Sequence, residues 1–278
     1  MSEEGYHKRL AACTWSFQPE SPASLLDKLN TCGIRRVQLA MNPLVDDAAW
    51  AEIGTMLADA GVTIVSGMYA PRGEDYSTLE TIRATGGIVQ DQLWDENREL
   101  FVREAEWAQQ LGIKVITFHA GFIPEQETDP LRATVADRLA QLAVIAAEAG
   151  IELLLETGQE TAEDLEAFLA ELGDAGVGVN FDPANMILYG KGDPLEAVER
   201  LMPFVGQVHI KDALPTPTPG TWGSEERVGD GAVDWSAFLA RLDEGGYTGD
   251  LVIEREAGDN RVDDIAHAAG VITDLLRS

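Results

Sequence analysis

Cysteine is nearly absent from this chain of 278 residues. Cys13 and Cys32 are the only two, one in a strand-like run and one ending a helix-like run, which argues against a disulfide framework and for core burial of both. Basic residues are scarce as well. Lysine occurs only at 8, 28, 114, 191 and 211, and 20 basic side chains face 48 acidic ones for a formal net charge of -28. Such a surface repels nucleic acid, whose tight binding needs clustered cations, and it keeps a protein soluble through self-repulsion. No apolar run approaches the roughly 18 residues of a membrane span. The polar start MSEEGYHKR is unlike a secretory leader. The expectation is a cytoplasmic protein without membrane or nucleic-acid partners. A G-x-G-x-x-G after the first strand is also missing, as is a glycine-rich phosphate loop.

What the chain does contain is an eightfold alternation. Strands are expected at 10–15, 35–40, 62–69, 113–119, 151–156, 177–182, 205–210 and 250–254. Between them lie helical patterns at 21–32, 46–60, 95–111, 129–149, 161–172, 193–203, 234–244 and 262–276. Ser21-Pro22, Asp129-Pro130 and Asp193-Pro194 each set a capping side chain before a proline at the first helical position. Eight such units in a chain of this length predict a closed (β/α)₈ TIM barrel, an α/β fold occupying residues 1–278 as a single domain. Two connections exceed ordinary loop length. Residues 71–96 predict a lid or small helical insertion, or else a contact between copies in a homo-oligomer. Residues 212–234 carry LPTPTPGTWG, whose alternating prolines favour an extended path that could border a substrate.

Four of the apolar runs stop on a residue able to ligate metal. IELLLE from Ile151 ends at Glu156, VGVNFD from Val177 at Asp182, VGQVH from Val205 at His209, and DLVIE from Asp250 at Glu254. A strand covered on both faces is continuously apolar, so a chargeable group belongs at its open end. In a barrel those ends converge on one axis. Three carboxylates about 4 Å apart would repel by several kcal/mol at an effective dielectric near 20, and a divalent cation removes that repulsion. An oxygen-rich set with one imidazole suits Mn²⁺ or Mg²⁺, with Co²⁺, Fe²⁺ and Zn²⁺ as alternatives.

The runs LLLETG, NFDPAN, VHIKDA, VGDGAVDW from Val228 and VIEREAG resemble the sugar phosphate isomerase/epimerase family, the xylose isomerase-like TIM barrels. These include ketose 3-epimerases, inosose dehydratases and hydroxypyruvate isomerases, and the likeness covers nearly the whole chain. The resemblance implies a small-molecule sugar or polyol substrate, a single divalent ion on Glu156, Asp182, His209 and Glu254, and an acid/base role for Glu156 and Glu254. The implied chemistry is isomerisation or epimerisation, by proton abstraction next to a carbonyl through a metal-stabilised enediolate. An inosose-type dehydratase on the same site and a barrel that only binds sugar or metal are the alternatives. Abasic-site endonucleases share the barrel, but the acidic charge and the absence of a larger ligand set argue against them. Several epimerases carry histidine three residues after the aspartate; here the position is Asn185, whose amide hydrogen-bonds but cannot carry a proton. His119, closing ITFHAG, is expected at the mouth as a substrate ligand, and Trp15 as a wall. Lys211 and Arg255 follow their ligands by one or two residues and are candidates to curl into the pocket. His7 and His267 are expected to be structural or exposed.

Overall fold

The computed structural model describes residues 9–173, 175–218 and 220–277; His7 lies outside them. All eight expected strands form. They are β1 (Leu10–Cys13), β2 (Arg36–Ala40), β3 (Thr63–Met68), β4 (Val115–Phe118), β5 (Glu152–Glu156), β6 (Val177–Phe181), β7 (Val205–Ile210) and, after a hairpin, β10 (Leu251–Ile253). Parallel pairing closes them in the order β1-β10-β7-β6-β5-β4-β3-β2, a TIM barrel. Apolar strand and helix faces meet in one large core outside the barrel wall.

The barrel lumen differs from the branched aliphatic layers usual in this fold. Small residues, Ala11, Cys13 and Val252, form a separate cluster against Trp15 and Val65. Beside them Gln38, Thr117 and His209, and Asn180 with Gln207, are buried and hydrogen-bonded across the strands. Gln38, Thr117, Asn180 and Gln207 find partners across the lumen, as burial requires, whereas His209 leaves Nδ1 unpartnered.

The three proline-led helices start as expected, with Ser21 accepting from Ser24 N, Asp129 from Leu131 N, and Asp193 from Leu195 N and Glu196 N. The helix expected over 46–60 is instead three pieces: Asn42–Asp46, a 3₁₀ turn Ala48–Trp50, and Ile53–Asp59. Asp47 breaks it by adopting an extended conformation and turning its carboxylate onto Ala49 N, a local bond that competes with helix. Similarly, the helix expected over 193–203 runs from Pro194 to Leu201 and tightens into a 3₁₀ turn around Pro203.

Both long connections rise over the C-terminal ends of the strands. Residues 71–96 contain a helix, Leu79–Thr85, and a 3₁₀ turn, Asp91–Leu93. Residues 212–234 contain the antiparallel pair β8 (Asp212–Leu214) and β9 (Ser224–Glu226). Asp212 anchors that second connection. Fully buried, its Oδ1 accepts from Ala213 N and Val233 N, and its Oδ2 from Gly229 N and Trp235 Nε1. The VGDGAVDW segment therefore wraps a carboxylate. Gly229 holds φ 92°, and a Cβ on Gly231 would lie 2.1 Å from Asp212 Oδ1, so both positions require glycine.

Candidate metal centre

Glu156 is the last residue of β5, and Asp182 directly follows β6. His209 lies in β7 opposite Val252, and Glu254 N donates to Ile210 O to continue the ladder beyond β10. Strand register alone thus brings the four side chains together. One ligand atom from each of Glu156, Asp182, His209 and Glu254 lies within 4.8 Å of all the others, and all four residues are buried. Asp182 also caps the helix Pro183–Leu188, its Oδ1 accepting from Ala184 N and Asn185 N while Oδ2 keeps no partner. That division of labour fixes the carboxylate and leaves one oxygen free.

The orientation of His209 follows from its neighbours. Gln38 Nε2 donates to Gly67 O, which can only accept, so Gln38 Oε1 is the atom 2.8 Å from His209 Nε2. Nε2 then carries the proton of that bond, and Asn180 Nδ2, 3.1 Å from the same nitrogen, is in contact with it without donating to it. Nδ1 is left 3.3 Å from Glu156 Oε1, 3.4 Å from Glu254 Oε2 and 3.8 Å from Asp182 Oδ2, without hydrogen-bond geometry to any of them. A lone pair among three carboxylates is repulsive unless a proton or a metal ion sits there. Burial opposes the imidazolium, yet Glu156 above all lifts His209 well above the usual histidine value. Burial likewise opposes ionisation of Glu254, but Lys211 and His209 hold it well below the usual carboxylate range. Glu156 is lowered against burial by His119 and His209, whereas burial raises Asp182. Glu156 Oε2, Asp182 Oδ2 and His209 Nδ1 are all buried without a hydrogen-bond partner. Three carboxylates and a correctly presented nitrogen, with these atoms unmatched, fit a dication; this cluster could bind a metal.

A cavity of about 540 Å³ opens above the cluster, with Glu254, Trp15, His119, Asn185 and Lys211 in its lining. Trp15 Nε1 donates to Glu254 Oε1 at 2.8 Å, and Asn185 Nδ2 to Glu156 Oε1 at 2.9 Å. His119 Nε2 stands 3.5 Å from Glu156 Oε2. Lys211 curls inward: its buried Nζ is 2.9 Å from Glu254 Oε2 and 2.7 Å from Glu256 Oε2. Burial alone would lower the ammonium's pKa, but Glu254 and Glu256 hold it well above the usual lysine range. Arg255 is not brought to the cavity. Its guanidinium pairs with Glu225 and Asp264 instead, so the expectation that it reaches substrate is replaced by a bracing role.

A family profile described as the xylose isomerase-like TIM barrel matches residues 26–275. The chain belongs to that family. Among solved structures, a xylose isomerase domain protein from Planctomyces limnophilus superposes with a TM-score of 0.86 at 29% identity, covering 97% of this chain and 96% of that one. A xylose isomerase-like TIM barrel protein from Mycobacterium smegmatis, in complex with magnesium, gives 0.75 at 21% identity, covering 99% and 98%. An inosose dehydratase from Yersinia enterocolitica is 29% identical over 151 residues, 46% of this chain and 49% of the relative. The chain thus spans about half the length of the curated relatives it matches first.

Within this xylose isomerase-like barrel, the cavity recruits residues that strand-end reasoning does not reach. Glu74 and Tyr76 come from the 71–96 connection, Tyr189 from the turn after Pro183–Leu188, Trp222 and Glu225 from the 212–234 connection, and Glu256 from beyond β10. Glu256 carries the one readable signal, since it follows the ligand Glu254 by two residues in VIEREAG. The others depend on loop paths.

Proposed function

We propose that this protein is a divalent-metal-dependent isomerase or epimerase of a sugar or sugar-like keto-polyol, acting by proton transfer at the carbon next to a carbonyl. The observation that carries the reading is the buried four-ligand cluster, with its unpartnered Glu156 Oε2, Asp182 Oδ2 and His209 Nδ1, at the floor of a cavity that also holds His119 and Lys211. An ion held by Glu156, Asp182, His209 and Glu254 would supply Lewis acidity toward a carbonyl and its neighbouring hydroxyl, and the oxygen-rich set favours Mn²⁺ or Mg²⁺.

The chain's own residues supply two proton-handling pairs. Glu156 is ionised, and its free Oε2 faces His119, whose pKa Glu156 and Glu74 raise against the opposing effect of burial. Protonated His119 keeps Glu156 ionised at rest; Glu156 then takes the substrate proton from carbon and, as the resulting carboxylic acid, gives it back to the neighbouring carbon or oxygen. Glu254, oriented by Trp15 Nε1 and Lys211 Nζ, stands as the second carboxylate, with Lys211 as its proton-bearing partner. Acid/base transfer contributes about 10²- to 10⁴-fold, so positioning and electrostatics supply the rest. Asn185 hydrogen-bonds Glu156 and holds it in place without exchanging a proton.

A second reading is dehydration, in which the same proton loss is followed by departure of a β-hydroxyl. It is favoured by the inosose dehydratase relatives and by a protonatable His119 beside Glu156. Incubating the Mn²⁺-loaded protein with keto-sugars and inososes in D₂O separates the two. Deuterium in an intact sugar supports isomerisation; a product lighter by one water supports dehydration. Turnover that survives both Glu156→Gln and Glu254→Gln would overturn the acid/base assignment.

A further inference from the structure

We infer that the cavity takes an uncharged keto-sugar bearing a second sugar ring, with that ring stacked on an aromatic wall formed by Tyr189 and Trp222. This rests on the keto-polyol reading above and adds to it a subsite and a charge rule.

The wall is built from two separate connections. Tyr189 and Trp222 meet edge to face with ring centroids 4.8 Å apart, and Phe122 backs Tyr189 at 5.7 Å. Behind Phe122 stands Arg83, its guanidinium 5.0 Å from the ring centre. Gly223 N donates to Leu188 O at 3.1 Å, tying the strand of chain that carries Trp222 to the turn that carries Tyr189. A Cβ on Gly223 would lie 2.5 Å from Leu214 O, so glycine permits that close approach. Both wall residues line the cavity and remain only partly buried, so their faces are not consumed by the core. Apolar ring faces of this kind bind the C–H face of a sugar, while a few polar groups set orientation. At about 540 Å³ the cavity is of a size that holds ligands larger than a single monosaccharide.

The charge rule comes from counting cations at the lining. Glu74, Glu225, Glu254 and Glu256 line the cavity, and among the described residues Lys211 is the one lysine or arginine of the lining. Its ammonium is already shared by Glu254 and Glu256. Arg255, itself outside the lining, is already shared by Glu225 of the lining and by Asp264. Away from the metal cluster a phosphate or carboxylate on the substrate would therefore meet carboxylates; the described lining offers it no free lysine or arginine, and His119 Nε2 is turned to Glu156.

The test is calorimetric titration of the Mg²⁺-loaded protein with D-fructose, D-fructose 6-phosphate, and the fructose disaccharides turanose, maltulose, lactulose, isomaltulose and trehalulose, which attach a second pyranose at different carbons. At least one disaccharide should bind about tenfold more tightly than fructose. Trp222→Ala should erase that preference, bringing the disaccharide to the affinity the same variant shows for fructose, and Trp222→Phe should keep most of it; thermal melting confirms that the variants fold. Fructose 6-phosphate should bind more weakly than fructose. The inference is overturned if no disaccharide exceeds fructose, if the preference survives both Trp222→Ala and Tyr189→Ala, or if the phosphate binds as tightly as the parent sugar. Deuterium exchange on the same panel reads the chemistry separately. A disaccharide preference without exchange sinks the isomerase reading alone, and exchange into free ketoses without any preference sinks the subsite alone.

Discussion

Asp212→Asn is the substitution whose cost follows most directly from the structure. The wild-type carboxylate is fully buried and accepts from Ala213 N, Val233 N, Gly229 N and Trp235 Nε1, two donors on each oxygen. An asparagine side chain keeps one acceptor oxygen and turns an NH₂ toward the remaining pair. Whichever way the amide is flipped, two donors face two donors. Leaving a buried donor unsatisfied costs about 1–3 kcal/mol, so two of them set an expected loss of about 2–5 kcal/mol. Urea denaturation read by tryptophan fluorescence measures it. The control is Asp230→Asn in the same segment, where the carboxylate forms an exposed pair with Arg227 and the loss should stay below about 1 kcal/mol. Gly231→Ala should act in the same direction as Asp212→Asn, since its Cβ would displace Asp212 Oδ1. An Asp212→Asn protein within 0.5 kcal/mol of the parent, or a control variant equally damaged, would refute the clamp (a threshold of about the size of ordinary surface effects).

Three further outcomes follow from the buried charges. Mg²⁺ or Mn²⁺ at a hundredfold excess over Kd should stabilise the fold by about 2.7 kcal/mol, with a chelator reversing the shift and Asp182→Asn abolishing it. Calorimetry in buffers of different ionisation enthalpy should register release of about one proton, because a metal displaces the proton held at His209 Nδ1; no release would mean that nitrogen is already neutral. Glu104 is fully buried, neither of its oxygens has a hydrogen-bond partner, and burial pushes its carboxyl well above the usual range. Since its folded pKa exceeds its unfolded one, the native state binds more protons, and stability falls as pH rises from the unfolded carboxyl pKa toward the raised one. Glu104→Met should stabilise the protein by about 1–3 kcal/mol above that window and flatten the fall; an equal or lower melting temperature at alkaline pH would contradict this.

The barrel was legible because its strands are buried on both faces, and runs such as IELLLE and VGVNFD announce that environment locally. The ligand cluster was legible for the same reason: a chargeable residue ending such a run has one place to be. The reading weakened wherever backbone direction depended on a side-chain bond several residues away. Asp47, unremarkable as one acidic residue among 48, breaks a helix by capping Ala49. Lys211, two residues after His209, keeps the inward face that strand alternation gives it, even though β7 ends at Ile210 and the chain turns into β8. Tyr189 and Trp222 lie 33 residues apart and meet only because Gly223 is docked on Leu188.

The VGDGAVDW run carries part of the resemblance to the xylose isomerase-like barrels, and its contribution in the fold is structural. It includes two acidic residues, Asp230 and Asp234. In the fold neither does chemistry: Asp230 pairs with Arg227 on the surface, and Asp234 caps the helix Trp235–Glu244 through Ala237 N. What the run supplies is a shell of donors and two glycines around Asp212, outside the run itself. That shell holds the connection from which Trp222 and Glu225 reach the cavity. Loosening the shell should therefore weaken recognition of a ring-bearing substrate while leaving the affinity of the four-residue cluster for a metal ion unchanged. The Asp212→Asn protein separates the two in one preparation, through a metal titration and a disaccharide titration. Parallel loss of both would mean that the clamp supports the barrel end as a whole and not the aromatic wall.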